Sequence, residues 1–193
     1  MALTRISLSS PAVSGSLPLA TKVSGTLPIA NGGTATTDLA NILLANTPYL
    51  EVVLQTTAVT LTSGSASKIP FNVVKHNVGG GTWDSSNYRW TPGVAGRYMV
   101  SVVASISADS NNAQMATLLT VKKNGTIEHY PSGTNNRDDG QGRGHIGGGT
   151  CMVDLDTDDY VEAFATNTSE SSANGRIDGE STQTFMSIYK LAE

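Results

Sequence analysis

The chain has 193 residues, 38% hydrophobic and 15% charged, with a net charge of −4 and a pI near 5.3. That length suits one ordinary domain plus an appendage, and the acidic balance argues against nucleic-acid binding, which needs a basic stripe to displace counterions. No apolar run approaches the roughly 20 residues that span a bilayer, the first residues lack the apolar stretch of a secretory signal, and the lone Cys151 excludes an internal disulfide framework. These features predict synthesis in a reducing cytoplasm and stability from packing or oligomerisation, with no cofactor.

Residues 1–48 contain no Phe, Tyr or Trp and only three charges, Arg5, Lys22 and Asp38. Aromatics carry the largest apolar surface per residue, so this segment reads as an arm without a core of its own. Within it VSGSLPLA (13–20) recurs as VSGTLPIA (23–30). Pro18 and Pro28 favour extended backbone. Leu17 and Leu19, like Leu27 and Ile29, are two apart and share one face of such a segment. With Val13 and Val23 they form two similar grips, which makes residues 1–36 a predicted anchoring arm. Thr37 as N-cap, Asp38 in the first turn, and Leu39, Ile42 and Leu43 at helical spacing predict a short helical collar over 37–48, stopped by Pro48.

From Tyr49 to the C-terminus, residues 49–193, the pattern is one of strands. Tyr98, Val100, Val102, Ala104 and Ile106 alternate with Met99, Ser101, Val103, Ser105 and Ser107, a half-buried strand. Further strands are predicted over 50–62, 68–78, 88–91, 113–122, 127–130, 145–153, 160–166 and 182–191. Asn124-Gly125 between two such runs is a hairpin signal. Short strands joined by Gly- and Asn-rich turns, with hardly a helix, predict an all-β antiparallel jelly-roll sandwich. The apolar last strand is expected in the interior of a sheet. Its residues Phe185, Ser187, Tyr189 and Leu191 share one face, and Met186, Ile188 and Lys190 the other. With one face on the core, the side with Met186 and Ile188 needs cover, from a subunit interface or from the 50–62 segment.

Chemistry-bearing motifs are sparse. Asp154, Asp156 and Asp158 alternate like the start of an EF-hand loop. Asp159 stands where that loop needs Gly, and Ala165 where it needs Glu. His76, His129 and His145 form no close pair, so no metal site is expected. Neither a Gly-x-Ser-x-Gly elbow nor a His-Glu-x-x-His helix is present. Cys151 reads as a small buried hydrophobe. The glycines of GRGHIGGG precede a strand rather than a helix, and Asp138 and Asp139 share a Gly-rich loop that fixes no carboxylate separation. The chain therefore reads as a non-enzyme. Trp83, Tyr88 and Trp90 either cover the core or stack on a sugar. The loop over 131–144 offers Asn135, Asn136, Arg137, Asp138, Asp139, Gln141 and Arg143 to a hydroxyl-rich ligand. Both Asn-x-Ser/Thr triplets, at Asn124 and Asn167, read as turns.

Four motifs in order resemble the jelly-roll domain of complement globular heads and tumour necrosis factor: Gly96 and Tyr98 in GRYMV, Lys123 to Gly125 in the KNG hairpin, Leu155 with Asp159 and Val161, and Phe185, Ser187 and Leu191 in the closing strand. Asp158 stands where that family has Gly. The resemblance covers about residues 65 to 191 and implies a homotrimer, with Met186, Ile188 and Tyr189 as interface candidates. Separately, SGTLPIANGGTATT (24–37) resembles the G-T-L-P-x-A-N-G-G-T-G stretch of phage tail-fibre proteins, with Ala35 in place of the last Gly. That resemblance implies a virion protein, made in the host cytoplasm and displayed on the particle. Such a protein is a receptor-binding tail fibre held to other virion proteins by its arm, or a capsid decoration protein; a free glycan-binding module is the reading from a different class. Neither nucleic acid nor membrane is an expected partner, and a host surface glycan is.

Overall fold

The computed structural model describes residues 48–56, 58–108, 114–135, 144–169 and 174–192. The anchoring positions Val13, Leu17, Leu19, Val23, Leu27 and Ile29, and the helix expected over 37–48 apart from Pro48, lie outside the described residues.

Every regular element among the described residues is a strand. In chain order they are β1 (Tyr49–Val53), β2 (Val59–Leu61), β3 (Ala66–Lys68), β4 (Val73–Val78), β5 (Thr82–Asp84), β6 (Arg89–Thr91), β7 (Gly96–Ala108), β8 (Gln114–Lys123), β9 (Thr126–Asn135), β10 (Gly144–Leu155), β11 (Val161–Ser169), β12 (Gly175–Ile177) and β13 (Phe185–Ala192). They form two antiparallel sheets. In the first, β10 runs along one edge of β7, while β13 and β12 share the other edge; β1 and then β4 continue beyond β13, and β2 flanks β12. The second has the order β5-β6-β11-β8-β9, with β3 also on β11. The sheets pack face to face as a jelly-roll sandwich, as the strand pattern predicts.

The core follows from alternation. Tyr98, Val100, Val102, Ala104 and Ile106 of β7, Leu50 and Val52 of β1, and Met186 and Ile188 of β13 face inward. They meet Trp90, Leu119, Val121, Val161, Ala163 and Ala165 from the second sheet. The C-terminal strand β13 lies between β7 and β1, an interior strand as expected. Its facing is the reverse of the interface expectation. Met186 and Ile188 are fully buried inside the sandwich, so the opposing sheet covers them and no partner is needed. Strand β1 pairs beside β13 and does not lie over it.

Several elements differ from their predicted bounds for local reasons. The expected strand 50–62 is two, because Thr56 takes a left-handed φ of 69° and the chain crosses from β13 to β12. The run 68–78 also divides, at Pro70, with β3 in the second sheet and β4 in the first. Three-residue strands β5 and β12 carry too short a pattern to be read from sequence. Strand β9 continues past Pro131, with a shift in its register to β8 between His129 and Ser132, into the segment expected as loop; an edge strand with such an irregularity tolerates the missing donor. Beside it Gly149 of β10 lies so close to Pro131 that a Cβ would sit 1.9 Å from the Pro131 carbonyl oxygen. Strands of different sheets touch backbone to backbone there.

Candidate functional site

The pairing registers put five side chains in one row across the outer face of the first sheet. Met152 pairs with Met99, Met99 with Tyr189, Tyr189 with Tyr49, and Tyr49 with Val78. Paired residues of antiparallel strands point to the same side, and these point away from the core. Met152 is 60% exposed, Tyr189 37% and Val78 36%, with Leu191 of β13 at 44%. The Tyr49 and Tyr189 rings stack at 6.0 Å and 16°, and His76 tilts against Tyr49 at 6.1 Å. The next row is polar: Thr150, Ser101, Ser187, Glu51 and His76. The Ser101 and Thr150 hydroxyls lie 3.1 Å apart. Beyond it, Val103 and Phe185 are apolar again. At the other rim Arg97 grips Asp154 through Nε at 2.8 Å and holds its carboxyl below the usual range. Tyrosine and methionine in a broad face with one rim closed by an ion pair have the composition of a protein interface. Of the three interface candidates, Tyr189 lies on this face, while Met186 and Ile188 belong to the core.

The aromatic candidates divide. Trp83 and Trp90 are register partners on β5 and β6. Trp90 is fully buried, its Nε1 donates to Asn77 Oδ1 at 3.2 Å, and its ring meets Tyr98 edge-on at 5.7 Å. Trp83 packs edge-on against Phe71 at 6.4 Å. Trp90 therefore fills the core and offers no platform to a sugar, because its β6 side chain points into the sandwich. Tyr88, half-buried at a left-handed φ of 50°, sits in the β5–β6 turn. The Asp84 carboxylate organises that turn, accepting from the Ser86 and Asn87 amides, Asn87 Nδ2 and Arg89 Nε. Asn135 ends β9, whereas Asn136, Arg137, Asp138, Asp139, Gln141 and Arg143 lie outside the described residues. The three histidines stand on β4, β9 and β10. Burial, and then the Glu128 carboxylate, push the Cys151 thiol up to about 11, so at neutral pH it stays protonated.

The acidic run 154–159 has a structural task that the sequence did not reveal. It forms a turn stapled to the Asn124-Gly125 hairpin. Lys123 Nζ reaches Asp159 Oδ2 and the Asp154 carbonyl, each at 2.7 Å. Asn124 Nδ2 donates to Asp159 Oδ1, the Tyr160 amide donates to Asn124 Oδ1 at 2.9 Å, and the Asp156 amide donates to Asp159 Oδ2 at 2.7 Å. Burial alone would raise the Asp159 carboxyl, but the Asp156 amide, Lys123 and Asn124 together outweigh it and hold the carboxyl below its ordinary value. A lowered folded value means that the clamp contributes fully above the unfolded carboxyl range and is lost as pH falls through the folded value. Asp159→Asn is expected to lower stability by about 1.5–3 kcal/mol at neutral pH. In urea melts the gap from wild type should close below about pH 4. A gap that stays constant with pH would show that the Asp159 charge is not the stabilising element.

No protein-family profile matches the chain, and no curated protein sequence does. Solved structures do match. The Eiger TNF from S. frugiperda superposes with a TM-score of 0.54 at 11% identity, over 75% of this chain and 92% of that one. Murine APRIL at pH 8.0 gives 0.52 at 12% identity, and at pH 5.0 gives 0.51 at 11%, each over 74% of this chain and 98% of the other. At such identities the likeness is one of fold. The described residues form a TNF-like jelly roll.

Proposed function

We propose that the chain is a non-enzymatic structural subunit of a phage particle, a homotrimeric short tail-fibre or receptor-binding protein. Residues 1–48 anchor it to other virion proteins, and the jelly roll is displayed outward toward a host surface glycan. The observation that carries the self-association is the outward-facing row Met152, Met99, Tyr189, Tyr49 and Val78, of which Met152, Tyr189 and Val78 are exposed. A second copy would cover those apolar side chains, and association in closed rings is the common solution for such a face. Support for the phage setting is the resemblance of residues 24–37 to tail-fibre proteins. The protonated thiol of Cys151 agrees with a non-catalytic role.

Two measurements test this reading. Tyr189→Asp places a charge in the middle of the row without touching the core. It should weaken self-association by about 100-fold or more while the domain stays folded. Sedimentation equilibrium should give a trimer for wild type and a monomer for the variant; equal masses would remove the row from the interface. Deleting residues 1–30 should leave a soluble trimer that still binds host cells. A truncated trimer that binds capsids instead would establish the decoration role. One that binds sugar, from a full chain that never enters particles, would establish a free lectin.

A further inference from the structure

We propose that Asn124 is a deamidation site that the fold holds unreactive, and that opening of the Asp159 clamp releases it. The inference rests on the geometry of the hairpin and is independent of the proposed function. Asn-Gly is the most reactive sequence for this chemistry, because glycine leaves the following amide nitrogen unhindered. That nitrogen, on Gly125, attacks the Asn124 side-chain carbonyl carbon. The new C–N bond closes a five-membered imide, the bond to Nδ2 breaks, and ammonia leaves with the amide proton. Water then opens the imide at either carbonyl, to aspartate or to isoaspartate. The net change is the exchange of NH for O, and no oxidant or cofactor is needed.

Asn124, Gly125 and Thr126 are all exposed, so water reaches the site. Attack requires the Asn124 side chain to swing over the Gly125 nitrogen, and both ends of its amide are held elsewhere. Nδ2 is bound to the Asp159 carboxylate and Oδ1 to the Tyr160 amide. The Asn124 amide itself donates to the Tyr160 carbonyl at 3.0 Å. Backbone φ values of 51° and 78° lock the two residues as the paired centre of a tight hairpin turn. The same contacts give the reaction its consequence. Aspartate at 124 would set a second carboxylate against Asp159, where the amide now donates. Isoaspartate would lengthen the main chain by one carbon inside a turn whose flanks, Lys123 and Thr126, are register partners. Either product unfastens the staple between β8–β9 and the β10–β11 turn.

The test compares one site in three samples at mildly alkaline pH: folded wild type, wild type unfolded in urea, and folded Asp159→Asn. Proteolysis and mass spectrometry then count aspartate and isoaspartate at position 124. The Asn174-Gly175 pair, read in the same urea digest, reports the intrinsic rate. In urea the two pairs should react alike, and folding should suppress Asn124. Asp159→Asn loses a charge-assisted bond, and reaction at Asn124 should rise about 10-fold over folded wild type. Equal rates in folded and urea-unfolded wild type would overturn the proposal, with no variant required. A rate in Asp159→Asn equal to that in folded wild type would overturn the role given to Asp159.

Discussion

Gly149→Ala should cost the domain about 3 kcal/mol, the upper end of the usual cost of forcing atoms into a packed site. The added methyl would lie 1.9 Å from the Pro131 carbonyl oxygen and 2.6 Å from its carbon. Both are main-chain atoms of β9, which cannot step aside as a flexible side chain could. Neither can β10 retreat, because it is bonded along β7 from Gly144 to Leu155. The contact between β9 and β10 must open, and with it the place where the two sheets meet. In a thermal melt a loss of 3 kcal/mol corresponds to about 6–12 °C for a chain of this size. Gly80→Ala is the control. Gly80 has a φ of 94° but no atom within 4 Å of the added carbon, so it carries only conformational strain of roughly 1–2 kcal/mol. If Gly149→Ala melted no lower than Gly80→Ala, β9 and β10 would not approach as described.

Trp90→Ala should destabilise by about 3–5 kcal/mol, the cost of emptying a buried aromatic site. Trp90 is among the largest fully buried side chains, and its removal would also strip Tyr98 of its edge-on partner. Tyr98 is itself fixed: its hydroxyl donates to the Val94 carbonyl at 2.7 Å, and burial pushes it up to about 12. Urea melts should show the loss at every pH. Fluorescence should show one tryptophan shielded from an aqueous quencher and a second, Trp83, more accessible. Trp90→Phe keeps a ring against Tyr98 and should recover part of the stability. If Trp90→Ala left stability unchanged and abolished sugar binding, the residue would be a ligand platform and its placement in the core would be wrong.

These two residues show how far the sequence can be read. Strand β7 was legible because every second residue from Tyr98 to Ile106 is apolar and faces the core, and the Asn124-Gly125 turn because few dipeptides accept two positive φ values. Trp90 was legible as an aromatic in a strand, but alternation defines two faces without saying which one meets the core. The same ambiguity reversed β13. The face with Met186, Ile188 and Lys190 was expected to need cover from a subunit interface or from the 50–62 segment. In the fold it is the inner face, with Lys190 only 4% exposed. The runs 50–62 and 68–78 read as single strands because their β-like composition continues through Thr56 and Pro70, where the chain turns to another neighbour.

By itself the sequence determined the all-β antiparallel sandwich, read from the strand pattern that begins at Tyr49. Periodicity, composition and turn chemistry are local quantities, and each is written in consecutive residues. The outward row and the Asp159 clamp were decided only by the tertiary structure. Met152, Met99, Tyr189, Tyr49 and Val78 are separated by up to 140 positions and meet through four independent strand registers. Asn124 and Asp159 are 35 apart and meet because two turns arrive at the same end of the sandwich. Such contacts depend on which sheets close over which side chains, a choice set by the volume and shape of the whole core.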